Sequence, residues 1–430
     1  MTTTAADSEN PEAAAPAYLP LSKVGGVAIG NALEFYDFLS FGLFSIQISH
    51  TFFPASETSH GLLWTLATFG VGFATRPLGG LILGAYGDRA GRKPAMMWSF
   101  SLMGIAILGL ALTPGYAQIG IFAPVLLVFF RLLQGFALGG EVGPSTSFLI
   151  EAAPPHRRGL YVGLQMATQD FAVLMAGIVG FMLTIVMTPE VLDAWGWRVA
   201  FLLGAAIVPI GLIIRKNLPE TLVRHDQQKV SIKGNRDIAR LFVLGILMLG
   251  ASTIAYYGIE YINTYAQDTL GLSVKLAFGT TILLGAVMVV TDIVCGMMTD
   301  RVGRKPIMIA ASVAVVLVII PAFAILNRFP VPPVIFAVTA TLGILSALIS
   351  GPALISVTES LPTAVRSGVL GTLYAIAMSV FGGTTQFVSK GLIELSGNPL
   401  APAFYITAAM AVGVCAMLLI RETAPVKQKV

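Results

Sequence analysis

From about residue 22 to about residue 421, apolar runs of 20 residues or more alternate with short polar connections. The runs are continuous and lack the period-two alternation of a lipid-facing barrel strand. As helices rising 1.5 Å per residue, each is long enough to cross roughly 30 Å of hydrocarbon. The pattern predicts spanning helices at about 22–49, 61–86, 94–113, 120–151, 159–187 and 196–215. A second set is expected at about 238–267, 272–298, 306–327, 332–358, 368–391 and 400–421. Residues 1–19, without periodicity and without a signal-peptide pattern, read as a disordered cytoplasmic tail. The polar stretch 216–237 reads as a linker, and the tail 422–430 is too short for a coiled coil or regulatory domain.

The two sets echo one another. Gly84 to Pro94 read GAYGDRAGRKP, and Gly296 to Pro306, 212 positions on, read GMMTDRVGRKP. Glu151, Pro154 and Arg158 recur as Glu359, Pro362 and Arg366, 208 positions on. Two echoes at nearly one offset imply a duplicated chain, an all-α membrane protein of two pseudo-symmetric six-helix bundles (20–215 and 238–421) with function between them.

Composition agrees with this pattern. A chain of 430 residues that is 56% hydrophobic and 11% charged, with a mean hydropathy of +0.82, cannot hide its apolar surface in a soluble core. The basic residues cluster after every second predicted helix, which places both termini and the GRKP loops on the cytoplasmic side. The formal charge of +4 is mostly this bias, so no nucleic-acid partner is expected. Cys295 and Cys415 lie inside apolar runs without metal-ligand spacing, and no metal or cofactor is expected. There is no nucleotide-binding loop and no catalytic constellation, so the chain is not expected to be an enzyme.

A charge deep in a bilayer costs at least a few kcal/mol and needs a partner or a wet cavity. In the first predicted helix Asn31, Glu34 and Asp37 are spaced three apart on one face. The second carries Arg76, and the fourth carries Arg131 with Gln134 a turn on and Glu141 two turns further. The fifth carries Gln165, Gln169 and Asp170, the seventh Tyr256, Tyr257, Glu260, Tyr261 and Thr264, and the eighth Asp292. So many acids within reach of arginines suit proton coupling. No histidine falls in a predicted span, so carboxylates must carry any proton. In the repeated loops the acids (Asp88, Asp300) end one helix and the cations (Arg89, Arg92; Arg301, Arg304) begin the next. Recurrence at identical spacing points to a cytoplasmic latch that forms and breaks between the halves.

The paired loop motif resembles that of the major facilitator superfamily, over residues 20–421. Within it, GNALEFYDF (Gly30 to Phe38), FATRPLGG (Phe73 to Gly80), RLLQGFALGGE (Arg131 to Glu141) and WGWRVAF (Trp195 to Phe201) resemble the metabolite:proton symporter family. The GNALEFYDFLSFGLF, HTFFPA and LYVGLQMATQ segments are most similar to its citrate and tricarboxylate carriers. The resemblance implies a multi-pass bacterial inner-membrane symporter, monomeric, working by alternating access on protons and a small carboxylate. It also implies Asp37 with Arg131 as coupling pair beside Glu34. Asn31, Arg76, Gln134, Gln165, Gln169, Tyr257, Glu260 and Tyr261 are then expected near the substrate. Glu141, Asp170, Asp292, Arg158, Glu359 and Arg366 are expected in support or gating. The extra acids Asp170, Glu260 and Asp292 suit a zwitterion of the proline, betaine or ectoine type as well as a polyanion entering with several protons. Export along the same path also remains open.

Overall fold

The computed structural model describes residues 32, 35–54, 58–90, 92–139, 142–216, 236–363 and 366–427. Taken in order they give twelve helical segments, eight of them long and apolar enough to cross a membrane. The first half comprises α1 (35–43, continuing as Ser45–Phe52), α2 (Thr58–Ala74 and Arg76–Ala90), α3 (Arg92–Leu112), α4 (Phe122–Leu138, followed by Val142–Ala152), α5 (Arg158–Val186) and α6 (Trp197–Lys216). The second half comprises α7 (Arg236–Glu260 and Ile262–Asp268), α8 (Val274–Val302), α9 (Arg304–Arg328), α10 (Pro332–Ser360), α11 (Arg366–Ser396) and α12 (Ala401–Leu419). Apart from the expected start of α1, which lies outside the described residues, the ends fall within a few residues of the hydropathy pattern, with five interruptions inside passes among the described residues. α1 turns at Phe44, α2 at Thr75, α4 at Gly139 and α7 at Tyr261, and α11 widens to a π-turn at Met378–Gly382. Such breaks free backbone groups that a membrane tolerates only where protein re-satisfies them. At α2 the Thr75 hydroxyl donates to the Leu132 carbonyl at 2.6 Å. Beside the π-turn, Ser379 Oγ donates to the Phe73 carbonyl at 2.7 Å.

The predicted loop between α8 and α9 is a single residue. Gly303 has φ +109°, and a Cβ there would lie 2.9 Å from Glu422 Oε2, so both the turn and its neighbour require glycine. Glu422 accepts from the Arg304 and Lys305 amides at 3.1 and 3.0 Å, capping α9 from beyond α12.

Leu81, Ile105, Val186, Val290 and Leu317 on the outer circumference are exposed, a surface suited to lipid rather than water. Inside lie two hydrophobic cores, one built mainly from α1–α6 and the other mainly from α7–α12. They meet along two glycine-bearing seams. In one, α5 packs against α8: a Cβ on Gly163 would lie 2.6 Å from the Asp292 carbonyl, and one on Gly296 2.6 Å from that of Gly159. In the other, α2 packs against α11, where a Cβ on Gly383 would lie 2.9 Å from the Gly70 carbonyl. Absent side chains let the backbones approach to bare contact. The cavity between the seams is where function must reside.

Candidate functional site

The break in α2 starts a new helix at Arg76, and Phe69, Phe73 and Arg76, spaced four and three apart, share one face. That face meets Phe38 of α1 and Arg131 of α4. The guanidinium of Arg131, fully buried, lies 4.3 Å from the ring centroids of both Phe38 and Phe41. That of Arg76 lies 4.2 Å from Phe73 and 4.6 Å from Phe38. Phe38 thus contacts two cations. Each such contact is worth about 2 kcal/mol when desolvated, which offsets part of the cost of burying the charges. Arg131 also donates to Gln134 Oε1 at 2.5 Å and to the Phe69 carbonyl at 3.3 Å.

Asp37, fully buried next to this stack, has no hydrogen-bond partner among the described residues on either carboxylate oxygen. It interacts with Arg131 through space, without an ion pair. The Tyr257 hydroxyl of α7 is likewise buried without a partner, while its ring packs edge-on against Phe69 and Phe73 at 5.9 and 5.6 Å. Buried polar groups left open in this way are positions for a proton, a water or a ligand.

On the other side of the Tyr257 ring is a cavity of about 50 Å³, whose walls include Phe35, Gln169, Asp170, Tyr256, Tyr257, Asp292 and Tyr374. It holds a few waters at most. The Tyr256 hydroxyl donates to Asp170 Oδ1 at 2.9 Å, the carboxyls of Asp170 and Asp292 are within hydrogen-bonding reach, and Glu260 adjoins Tyr256. Among the described residues, no cation lines this cavity. The halves touch at both of its ends. Near one, Ser45 and Thr264 hydroxyls are 3.3 Å apart and Phe44 packs on Phe278 at 4.9 Å. At the GRKP end, Asp300 of α8 accepts from the Gly159 and Leu160 amides of α5 at 2.8 and 3.0 Å. A substrate can enter only if one end separates.

Residues 25–237 match the family model described as "Sugar (and other) transporter". The chain is 34% identical to the citrate-proton symporter of Klebsiella pneumoniae over 91% of its own length and 89% of that protein. It is 31% identical to the alpha-ketoglutarate permease of Escherichia coli K12, with 89% of each covered. It is also 32% identical to the proline/betaine transporter of the same strain, with 93% of this chain and 83% of that protein covered. The fold is similar to that of a major facilitator superfamily proton:xylose symporter, with TM-score 0.76, 18% identity and 94% and 96% of the two chains covered. The chain belongs to the major facilitator superfamily, within its metabolite:proton symporters. It is a membrane transporter and not an enzyme.

In this transporter the predicted residues separate into three places. Asp37, Arg76, Arg131 and Gln134 form the arginine–phenylalanine stack, and Tyr257 joins it from the second half. Gln169, Asp170 and Asp292 line the cavity, with Glu260 behind Tyr256. Two of the expected substrate residues lie elsewhere. Gln165 accepts from Thr146 at 3.1 Å, and Tyr261 is buried in the second-half core, its ring 6.2 Å from that of Tyr265. Asn31, Glu34 and Glu141 lie outside the described residues, as do the side chains of Asp88 and Arg92.

The third place is the GRKP face. Arg304, fully buried, pairs with Asp300 at 3.0 Å and Glu359 at 3.4 Å. Arg158 pairs with Glu359 at 3.7 Å and Arg366 with Glu151 at 3.3 Å. The second echo of the sequence therefore pairs crosswise, the acid of each half with the arginine of the other. Arg89 and Arg301 are exposed. The phenylalanines of the stack were not among the expected site residues. Their signal was the four-then-three spacing that puts Phe69, Phe73 and Arg76 on one face.

Proposed function

We propose that the transporter is a proton-coupled symporter of a small organic carboxylate, citrate or another di- or tricarboxylate, working as a monomer by alternating access. The observation that carries this reading is the pair of buried arginines stacked on Phe38, beside a carboxylate with no hydrogen-bond partner among the described residues. Two fixed cations next to an open, protonatable acid suit an anion that travels with a proton. Substrate and proton can then exchange charge at one place without leaving either buried alone. Its relatives named as citrate-proton symporters and an alpha-ketoglutarate permease support the substrate class. Asp37 would carry the proton, with Glu34 beside it, and Arg76, Arg131 and Gln134 would hold carboxylate groups together with Asn31 and Tyr257. The halves would rock as bundles 20–215 and 238–421 joined by the linker 216–237. The GRKP face and both termini would be cytoplasmic, in the inner membrane of a bacterium.

One observation favours a second reading. The cavity is walled by acids and tyrosines with no cation, an environment suited to the cationic end of a zwitterion; a relative is named as a proline/betaine transporter. Uptake of labelled citrate by proteoliposomes under an imposed pH gradient decides between them. Gradient-driven accumulation, competed by dicarboxylates, supports the first reading. Absence of citrate uptake, with gradient-driven uptake of labelled proline or betaine that citrate does not compete, selects the second. Asp37→Asn should abolish driven uptake, and undiminished uptake would show that the proton is carried elsewhere.

A further inference from the structure

Asp170 and Asp292 belong to different halves, and the coupling proposed at Asp37 does not use them. Both lie in the seam where α5 and α8 touch: Gly163, Asp170 and Gly177 recur every seven residues along one stripe of α5, a coiled-coil spacing. The seam holds the two carboxyls within hydrogen-bonding reach of one another, and both residues are almost fully buried. An ionised carboxylate only accepts hydrogen bonds, so two in contact need a proton between them or a cation beside them. No cation faces them among the described residues. The titratable groups around them are Tyr256, Tyr257 and Glu260 from α7, Cys295 from α8 and Tyr374 from α11, while α10 presents only neutral Ser350 and apolar side chains.

Two further observations are independent of the acids themselves. The Gln169 amide nitrogen and the Tyr257 hydroxyl, each more than nine-tenths buried and each on a residue lining the same cavity, have no hydrogen-bond partner among the described residues. Donors left open beside an acid pair suit a ligand that accepts hydrogen bonds, such as a carboxylate. That ligand can approach only if the pair's own charge is reduced. Meanwhile the Tyr256 hydroxyl at 2.9 Å from Asp170 Oδ1 already serves one acceptor of the pair, and Asp292 Oδ2 has no partner.

We propose that Asp170 and Asp292 form a proton-binding site separate from Asp37, in which one proton shared by the two carboxyls ties α5 to α8. The proton arrives from water reaching the cavity through one open end and leaves to water at the other, so its passage is coupled to separation of the seam. The proton count per substrate rises by one over what Asp37 alone supplies. That count rests on the symport reading, whereas the bound proton itself does not.

The test uses the full reconstituted chain without substrate, titrated with pH while infrared difference spectra follow the carbonyl stretch of protonated carboxyls. The expected result is a protonated-carboxyl band at neutral pH that persists in Asp37→Asn, shifts in frequency in Asp170→Asn and Asp292→Asn, where the remaining carboxyl holds the proton unshared, and is lost in the double variant. An amide closely matches the protonated acid in shape, so either single variant suffices if the other does not fold. A band of unchanged intensity in the double variant overturns the proposal. A second arm reads the proton-to-citrate ratio as a reversal potential in proteoliposomes. The ratio should fall by one proton in the double variant, and an unchanged ratio overturns the coupling role. Failure of the wild type to take up citrate would refute the citrate reading, while the infrared titration still decides the pair.

Discussion

Removing one carboxylate at the GRKP face should open the transporter there. Asp300 ends α8 in the second half and caps the N-terminus of α5 in the first, accepting from Gly159 and Leu160 at 2.8 and 3.0 Å. The positive end of the helix dipole adds to these bonds. A hydrogen bond to a charged group is worth about 1.5–3 kcal/mol net, and exchanging an N-cap acid for alanine costs about 1 kcal/mol. Water takes over both partners once the halves part, so the lower end applies, and Asp300→Ala should weaken the closed arrangement by about 2 kcal/mol. At tenfold per 1.4 kcal/mol this moves the ratio of closed to open by about 30-fold. Arg304 would lose its 3.0 Å partner but keep Glu359 at 3.4 Å, so the second half should remain folded. The assay is labelling of Ser350→Cys, which lines the cavity, by a membrane-impermeant maleimide in a background lacking Cys295 and Cys415. In Asp300→Ala, labelling from the GRKP side should accelerate by one to two orders of magnitude, with labelling from the opposite side slowed. An unchanged rate from the GRKP side in a folded variant would refute the assignment of Asp300 as a brace between the halves.

Three further outcomes are expected. Gly163→Ala places a Cβ 2.6 Å from a backbone oxygen that cannot give way, whereas Gly368 has nothing within 4 Å of such a position; uptake should fall at least tenfold in the first and stay unchanged in Gly368→Ala, and equal rates would show that the α5–α8 seam need not close. Phe38→Leu removes the ring that both arginines stack on, so the unfolding midpoint should drop by the equivalent of about 4 kcal/mol while Phe38→Tyr stays near wild type; a leucine variant as stable as wild type would show that the stack contributes nothing. Burial alone would raise Glu422, but amides of Ala424, Arg304, Lys305 and Thr423 outweigh it and hold the group below the usual 4.5; its contribution to stability is therefore full above about that pH and is lost as pH falls through the folded-state value. Thermal unfolding followed between neutral and acid pH should show a shallower acid loss in Glu422→Gln, and parallel curves would argue against the cap.

The passes were readable because hydrocarbon thickness sets helix length, and a run of apolar residues has few other ways to be buried. The buried charges were readable for the same reason, since Asp37, Arg76, Arg131, Asp170, Glu260 and Asp292 stand out against such runs. Their partners were not. A phenylalanine in an apolar run carries no mark of its own that it will face a guanidinium, so Phe38 and Phe41 became visible only through the three-dimensional stack. The echo of Glu151 and Arg158 in Glu359 and Arg366 was plain in the chain. That each acid serves the arginine of the other half depends on how α4, α5, α10 and α11 converge, and no local spacing encodes that. The glycine spacing along α5 lay in the sequence too, but a seven-residue stripe does not say which helix it meets.

The crosswise pairs follow from pseudo-symmetry. When two similar halves face each other about an axis, a contact from the acid of one to the base of the other is matched by its counterpart, as at any isologous interface. The bracing at the GRKP face is duplicated in this way, whereas the charges at the centre are not. Shifted by 208 to 212 positions, Asp37 maps to Gly245–Leu249, Arg76 to Leu284–Met288 and Arg131 to Thr339–Gly343, all without charge. Shifted back, Asp292 maps to Gly80–Gly84. The two acid sites consequently act on different things. Asp37 and Arg131 sit within one half, so a proton arriving there alters how α1 meets α4 and reaches the seams only through the stack and Tyr257. Asp170 and Asp292 sit one on each half, so adding or removing their proton bears directly on whether the halves stay together. A ligand or proton shifts a two-state equilibrium only by its differential affinity for the two states. Of the two sites, the pair that spans the seam is the one whose affinity must change when the seam opens.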